Sequence, residues 1–141
     1  MRTFVFALII AGALLFLGSA AAKDFGPGDL RVCNAKRCVP IVNRDVLPQL
    51  GSFYYSGPAP ARTTAVAIGS PYFELRFRGG YVTGIVATRK LDRFLSYGVH
   101  LERFTRGQWY AVPRKFAREL RRLTAGLTPL RLNRAALSKS R

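Results

Sequence analysis

The stretch PYFELRFRGGYVTGIVAT, residues 71–88, decides the fold because it encodes two strands and the turn between them. Phe73, Leu75 and Phe77 alternate with charged residues, and a period of two is typical of a strand with one buried face. The glycines at 79–80 can both adopt the positive φ values that a two-residue hairpin turn requires. The sequence therefore predicts an antiparallel hairpin that turns at these glycines.

A turn at the two glycines fixes which residues face each other. The expected pairs are Arg78–Tyr81, Phe77–Val82, Arg76–Thr83, Leu75–Gly84, Glu74–Ile85 and Phe73–Val86. One face is then apolar, with Phe73, Leu75, Phe77, Val82 and Val86. The other face carries Tyr72, Glu74, Arg76, Arg78, Tyr81 and Thr83. Since alternate side chains share a face, the apolar side needs a cover from elsewhere in the chain.

The composition limits the class of protein and the partners that its charge favours. The chain has 141 residues, enough for one domain, and 49% of them are hydrophobic. This content is typical of a packed globular protein and argues against a wholly disordered chain. Lys and Arg number 23 against 7 Asp and Glu, a formal net charge of +16. Such a charge attracts polyanions, although a GC-rich genome also produces arginine-rich chains without selection for a ligand.

The N-terminal residues 1–22 have the pattern of an export signal. Arg2 supplies a positive charge, residues 4–17 are apolar, and residues 18–22 are the small side chains typical of a cleavage site. We expect cleavage before Lys23 and a secreted, periplasmic or cell-envelope location. The alternative is a retained segment that anchors the chain in a membrane.

Cys33 and Cys38 are the only cysteines, and they flank a short polar loop. Val and Ile neighbours are typical of strands, so the pair is predicted to form a disulfide across a tight turn. Export and an even cysteine count both favour this prediction. With no other cysteine and only His100 as a histidine, the sequence predicts neither a metal site nor a cofactor.

The composition also divides the chain into segments. After the signal, residues 23–61 are predicted to be a loose leader with the disulfide loop and a linker. Residues 62–127 are predicted to form the core domain, which we expect to be monomeric. The basic tail, residues 128–141, is predicted to fray.

Local patterns predict the elements around the central hairpin. They are a helical turn at 43–50, a strand at 63–68, a helix at 90–97, a second hairpin of 99–104 and 108–112, and a helix at 113–125. In the last helix, Phe116, Leu120 and Leu123 form an apolar stripe among basic residues. The predicted fold is α+β: a small antiparallel sheet of two hairpins in ββαββα-like order, with an N-terminal disulfide loop and a C-terminal amphipathic helix as cover.

Few residues of the chain suit catalysis. His100 is the only histidine, and Asp92 and Ser96 lie near it in sequence, so a small hydrolase using His100 is the third-ranked hypothesis. The sequence contains neither a G-x-S-x-G nucleophile elbow nor a phosphate-binding G-x-x-x-x-G-K-[ST] loop. The sequence therefore favours a protein that is not an enzyme.

Two binding hypotheses rank above the hydrolase. The first is an exported module that engages an anionic partner, which could be a wall polymer, a polysaccharide, a lipid head group or extracellular nucleic acid. Its candidate anion-binding residues are Arg76, Arg78, Arg118, Arg121 and Arg122, with Tyr72 and Tyr81 as aromatic contacts. The second is a secreted protein-interaction or inhibitor-type module with incidental charge, whose partner contacts exposed aromatics such as Tyr54, Tyr55 and Tyr72.

Overall fold

The computed structural model describes residues 25–98 and 103–140, so the predicted signal at 1–22 and His100 lie outside the described residues. The described residues form an antiparallel sheet of eight strands with three helices. The strands are β1 (Leu30–Cys33), β2 (Cys38–Pro40), β3 (Arg62–Thr63), β4 (Pro71–Phe77), β5 (Val82–Ala87), β6 (Arg93–Ser96), β7 (Trp109–Ala111) and β8 (Leu130–Arg131). The helices are α1 (Leu47–Tyr54), α2 (Arg114–Thr124) and α3 (Arg134–Ser138).

β4 is the strand at which distant parts of the chain meet. The sheet order is β2-β1-β4-β5-β6-β7-β3, and all the neighbouring strands are antiparallel. β5 occupies one edge of β4. The other edge is shared by β1, which pairs with residues 74–77, and by β8, which pairs with Pro71 and Tyr72. The N-terminal and C-terminal segments of the described chain therefore both dock on the central hairpin.

The predicted hairpin is present, and its register is confirmed over the half that lies away from the turn. Phe73–Val86, Glu74–Ile85 and Leu75–Gly84 are the pairs observed. The pairs predicted closer to the turn are wrong, because a β-bulge places Val82 opposite Arg76 and leaves Thr83 as the extra residue. The amide of Phe77 then bonds the carbonyl oxygen of Tyr81 at 3.1 Å, so the loop is three residues, 78–80, rather than two.

The central strands of the sheet, β4, β5 and β6, are buried on both faces. α1 and α2 cover one face, and the first core cluster there includes Phe73, Leu75, Val86, Phe94, Tyr110, Phe116 and Leu120. α3 and the residues that follow β8 cover the other face, and the second cluster there includes Tyr72, Ile85, Ala87, Leu95, Trp109, Leu132 and Ala136. The face that was predicted to carry Tyr72 and Arg76 toward solvent is therefore largely covered by the C-terminal segment.

The chain after the central hairpin differs from the prediction. The helix predicted at 90–97 is wrong, because its residues Arg93–Ser96 form β6. Phe94 packs in the first cluster and its neighbour Leu95 in the second, as in a strand that is buried on both faces. β6 pairs with β7, which lies within the strand predicted at 108–112. Of the strand predicted at 99–104, residues 99–102 lie outside the described residues and Arg103 and Phe104 form a turn.

α1 replaces the helical turn that was predicted at 43–50. It begins at Leu47 with Pro48 in its first turn. Proline lacks a backbone N–H, and the N–H groups of the first turn have no hydrogen-bond partner within the helix, so proline is tolerated there. It continues through Gly51 to Tyr54, so part of the predicted linker is helix. The strand predicted at 63–68 is reduced to β3, which pairs with β7.

Segments expected to be loose belong to the folded unit. Phe25, in the predicted leader, is buried, and its ring centroid lies 5.4 Å from that of Phe77. Residues 130–138 of the predicted tail include β8 and α3, and Leu132 is 1% exposed. The apolar side chains of these two segments cover sheet surface that would otherwise meet water. Their burial accounts for the folded structure of both segments.

The predicted disulfide is confirmed: Cys33 and Cys38 join the ends of β1 and β2, with their Cα atoms 4.0 Å apart. The Asn34 side chain shapes the loop between them, because its Oδ1 accepts hydrogen bonds from the amides of Lys36 and Arg37, each at 2.9 Å. An intramolecular disulfide suits a non-reducing compartment. Within the described residues, none of the helices is both long enough and apolar enough to cross a membrane.

Candidate anion-binding site

A groove of about 450 Å³ brings together arginines from three separate parts of the chain. Arg89 comes from the turn between β5 and β6, Arg121 from α2 and Arg131 from β8. We call this depression the arginine groove. Its remaining lining residues are Pro71, Phe73, Thr88, Leu91, Thr124, Ala125, Leu127 and Pro129. The lining residues among those described include no carboxylate, and the ion pairs found among the described residues do not involve these three arginines.

Backbone carbonyl groups position two of the three guanidinium groups. Nη1 of Arg121 donates a hydrogen bond of 2.5 Å to the carbonyl oxygen of Lys90. Nη1 of Arg131 donates one of 3.3 Å to the carbonyl oxygen of Gly69. Each guanidinium has five N–H donors, so four remain on each side chain for a ligand. A site whose donors are already held in place loses less conformational entropy when an anion binds.

The turn that carries Arg89 has an unusual backbone. Thr88 has a φ of 75° and Leu91 a φ of 52°, and these are the non-glycine residues with positive φ in the described chain. The turn is fixed by the Thr88 hydroxyl, which donates to Asp92 Oδ1 at 2.7 Å and accepts from the amide of Lys90 at 3.1 Å. Left-handed backbone at such residues costs conformational energy and is concentrated at functional sites.

The floor of the arginine groove is apolar. Phe73, Leu91 and Leu127 are each at most 8% exposed, and they form part of the first core cluster. The two threonines of the lining use their hydroxyl groups elsewhere, because Thr124 donates to the carbonyl oxygen of Leu120 at 2.8 Å and Thr88 donates to Asp92. The guanidinium groups thus lie above the packed core, which exposes little apolar surface in the groove.

Only one of the predicted anion-binding residues, Arg121, lies in this groove. Arg118 and Arg122 line a separate depression of about 430 Å³, together with Asn43, Asp45 and Glu119. That depression contains carboxylates, so its charges are partly compensated internally. α2 therefore distributes its arginines between two sites rather than presenting them on one surface.

The two predicted arginines of the hairpin lie apart from those of α2. Arg76 pairs with Glu74, at 2.5 Å between Nη2 and Oε2, and Glu74 also lies 3.9 Å from Nζ of Lys139, just after α3. This places Arg76 on the sheet face that α3 covers, opposite to α2. Arg78 is exposed in the hairpin loop. The five predicted arginines thus do not form one continuous surface.

Glu119 is held in its charged form by Arg122. The two side chains are joined by hydrogen bonds of 2.6 and 2.9 Å. Hydrogen bonding from Arg122 lowers the pKa of Glu119 below its usual value, against the opposing effect of burial. This guanidinium is therefore engaged within the protein.

The predicted aromatic contacts also separate. Tyr72 is buried in the second cluster, whereas Tyr81 is 63% exposed. Tyr81 ends a row of rings that we call the aromatic row, formed by Tyr55, Phe25, Phe77 and Tyr81 with successive centroid distances of 5.5, 5.4 and 5.1 Å. Tyr54, a candidate of the second hypothesis, is 1% exposed, and burial raises the pKa of its hydroxyl group. Of the three aromatics in that hypothesis, Tyr55 alone is exposed.

Arg89 and Arg131 are the groove residues that the sequence did not single out. They lie 42 positions apart, and the pairing of β8 with β4 is what brings Arg131 close to the turn after β5. Arg89 had one local signal, its place in a polar Thr-Arg-Lys turn directly after a strand. Arg131 has no such signal, because the sequence predicts that its segment, 128–141, frays.

The groups that a hydrolase would need are not assembled in the described residues. Ser96 is buried and its Oγ accepts from the amide of Gly98 at 3.2 Å, and Asp92 is engaged by Thr88. His100 lies outside the described residues. Within the described chain, His, Cys, Asp and Glu side chains do not gather into a group of three that could hold a metal ion.

Comparisons of the chain with protein-family models, with curated proteins and with solved structures give no match. The function is therefore inferred from the chemistry of the arginine groove.

Proposed function

We propose that this protein is an exported, non-enzymatic binding module that engages an anionic partner through the arginine groove. The observation that carries the proposal is the convergence of Arg89, Arg121 and Arg131 on one depression whose described lining has no carboxylate. Like charges repel, so a fold that lines one depression with three of them and with no carboxylate gains stability when an anion binds there.

Guanidinium groups suit this role because they bind the oxygens of phosphate or carboxylate in a bidentate way. The net charge of +16 would attract a polyanion over a longer range and raise the rate of association. The groove would then supply the specific contact. The confirmed disulfide supports the export part of the proposal, because such bonds persist in oxidising compartments.

The test is a titration of the purified protein against nucleic acid, an anionic wall polymer and anionic vesicles at several salt concentrations. The groove variant is Arg89→Ser/Arg121→Ser/Arg131→Ser. The control variant, Arg44→Ser/Arg62→Ser/Arg106→Ser, removes the same charge from exposed positions outside the groove. We expect the groove variant to lose at least about tenfold in affinity for the preferred partner, since a charge-assisted contact contributes about 1.5–3 kcal/mol.

The control variant should lose much less, because it changes only the long-range attraction, and binding by the wild type should weaken as salt rises. Equal losses in the two variants would show that the charge acts without a site and would refute the proposal.

The second candidate function is protein interaction through the aromatic row, favoured by the exposure of Tyr55 and Tyr81 at its two ends. Tyrosine is enriched at protein interfaces because its ring is apolar and its hydroxyl group can bond a partner. A partner recovered by pull-down should then bind independently of salt and be lost with Tyr55→Ser/Tyr81→Ser. Capture that persists in this variant and depends on the three groove arginines would favour the first function.

A further inference from the structure

The arginine groove differs from a generally basic surface, because hydrogen bonds link the segments that carry its three arginines. We infer that the groove binds a phosphomonoester, the dianionic phosphate at the end of a molecule, in preference to the monoanionic phosphodiesters along a polymer. This inference rests on the proposed function, because it names the class of anion that the same site takes.

Pro71 joins two of the arginine segments. It pairs with Arg131 across β4 and β8, and its carbonyl oxygen accepts a hydrogen bond of 3.0 Å from the amide of Thr88. Thr88 directly precedes Arg89 in the chain. Arg89 and Arg131 therefore extend from segments that are bonded to the same residue, and both side chains line the groove.

Arg121 reaches the same place from α2. Its Nη1 donates to the carbonyl oxygen of Lys90, which directly follows Arg89, so its guanidinium lies at the turn that carries Arg89. Arg131 is positioned by its own hydrogen bond to the carbonyl oxygen of Gly69. Three positive charges that line one depression of about 450 Å³ are neutralised more fully by a ligand with two negative charges than by a ligand with one.

A phosphomonoester matches the three guanidinium groups in charge and in acceptor atoms. It carries about −1.5 to −2 charges near neutral pH and has three terminal oxygens. A phosphodiester carries a single charge and has two terminal oxygens, as does a carboxylate. Guanidinium groups bond such oxygens directly, so each of the three arginines has a terminal oxygen on a monoester, whereas two of them must share one on a diester.

The floor of the groove adds little apolar surface for a ligand to cover. Phe73, Leu91 and Leu127 are at most 8% exposed, because they pack in the first core cluster. The guanidinium groups are therefore the main groups available to a ligand, and the phosphate itself provides the contact. A polymer such as duplex DNA presents its internal diesters along an extended surface, whereas the phosphate at the end of a molecule fits a depression.

The test is isothermal titration calorimetry of the wild-type protein with methyl phosphate and with dimethyl phosphate. The two ligands differ by one methyl group, which converts the monoester into a diester and removes one negative charge. We expect methyl phosphate to bind at least about tenfold more tightly, because it gains a further charge-assisted contact. Equal affinities of the two ligands would overturn the inference.

A pH series checks that the dianion is the bound form. The second pKa of a phosphomonoester is about 6, so the affinity for methyl phosphate should fall about tenfold between pH 7.5 and pH 5 as the dianion gains a proton. The described lining has no carboxylate or histidine, and guanidinium groups stay charged over this range. Sulfate, which keeps both charges, is the control for changes in the protein itself. An affinity for methyl phosphate that falls no more than the affinity for sulfate would contradict recognition of the dianion.

Two variants at exposed positions locate the binding without disturbing the core. Arg89→Ser removes one guanidinium, and Ala125→Glu places a carboxylate in the lining. Each should weaken the binding of methyl phosphate at least about tenfold, whereas Arg62→Ser, outside the groove, should not. Binding of methyl phosphate that neither variant weakens would overturn the assignment to this groove.

The remaining outcomes separate this inference from the proposed function. Dimethyl phosphate could bind as tightly as methyl phosphate, or a polyanion could bind where neither small ligand does. If that binding depends on Arg89, the phosphomonoester inference is wrong and the proposed function stands. If no anion depends on the groove arginines, both fail.

Two kinds of vesicle distinguish the sources of the phosphomonoester, because phosphatidic acid presents a monoester and phosphatidylglycerol a diester. Displacement of methyl phosphate by vesicles with phosphatidic acid, but not by vesicles with phosphatidylglycerol, would support a lipid head group as the ligand. Displacement by neither would support a free phosphomonoester. Equal displacement by both would show attraction to any anionic surface and would count against a preference for monoesters.

Discussion

Thr83 shows how one hydroxyl group sets the geometry of the central hairpin. It is the extra residue of the bulge, 1% exposed, and its Oγ1 lies 3.3 Å from the carbonyl oxygen of Leu75, to which it donates, and 3.2 Å from the hydroxyl oxygen of Tyr54. In the uninterrupted register that the sequence predicted, Thr83 would lie opposite Arg76 on the solvent side. The bulge instead places it between the sheet and α1.

At this position we predict that Thr83→Val lowers the free energy of unfolding by about 1–3 kcal/mol. Valine has nearly the same shape but leaves the buried hydroxyl group of Tyr54 without its partner. Urea denaturation would measure the change. The double variant Thr83→Val/Tyr54→Phe removes both partners and should be more stable than Thr83→Val alone. If the double variant lost as much stability as the two single variants, Thr83→Val and Tyr54→Phe, lose together, a direct interaction between the two hydroxyl groups would be contradicted.

Gly84, the next residue, is required for a different reason. A Cβ at this position would lie 2.3 Å from the carbonyl oxygen of Leu95 and 2.6 Å from Cε2 of Phe94. We expect Gly84→Ala to destabilise the protein by about 1–3 kcal/mol, since the backbone of β6 must move to make room. Thermal unfolding would measure the loss. Gly79→Ala is the comparison, because a Cβ there meets nothing within 4 Å and reports only the cost of a positive φ. A wild-type melting temperature in Gly84→Ala would refute the requirement for close approach.

Among the helices and strands, the sequence predicted those whose residues follow one simple period. It missed those whose residues pack on both faces of the sheet or against distant segments. The central hairpin was predictable because alternating apolar residues and a Gly-Gly turn agree. β6 was mistaken for a helix because Phe94 and Leu95 serve opposite faces, and two adjacent apolar residues match a helical period as well. The frayed tail was a similar error, since β8 and α3 have their apolar partners far away in the sequence.

α2 gives a prediction about pH, because it carries the buried Glu119. The hydrogen bonds from Arg122 lower the pKa of Glu119 in the folded protein, so the charged form stabilises the fold above the unfolded-state pKa of about 4.3. This stability is lost as the pH falls through the lowered folded-state pKa. We therefore expect Glu119→Gln to be less stable than wild type at pH 7 and the difference to shrink by pH 3.

Urea denaturation at a series of pH values would measure that difference. Arg122→Gln is the matched variant, because it removes the donor and keeps the acid. It should reduce the acid dependence that is attributed to Glu119. A stability difference between wild type and Glu119→Gln that is constant from pH 7 to pH 3 would refute this role for the ion pair.

At the scale of the whole molecule, the arginine groove was the hardest feature to predict. It needs the β5–β6 turn, the C-terminal half of α2 and β8 in one place, and only the tertiary fold supplies that. Sequence reasoning identified the charge and the residue type, and it included Arg121. It could not assign Arg131, because a short strand has almost no periodicity of its own and depends on pairing with Tyr72 and Pro71.

The C-terminal segment also completes the core, so we predict that a chain ending at Pro129 loses stability and shows a red-shifted tryptophan emission. Trp109 is the single tryptophan and is 3% exposed in the second cluster, to which the C-terminal segment contributes Leu130 of β8, Leu132 just after it and Ala136 of α3. Without them, the indole ring would meet water.

Leu132→Ala tests the same cover within a full-length chain and should lower the free energy of unfolding by about 2–5 kcal/mol. The exposed change Arg134→Ala, on α3, should leave both the emission maximum and the melting temperature at wild-type values. If the truncated chain also keeps the wild-type emission maximum and melting temperature, the C-terminal segment is not a structural part of the core. The truncation would then remove Arg131 from the groove without changing the fold.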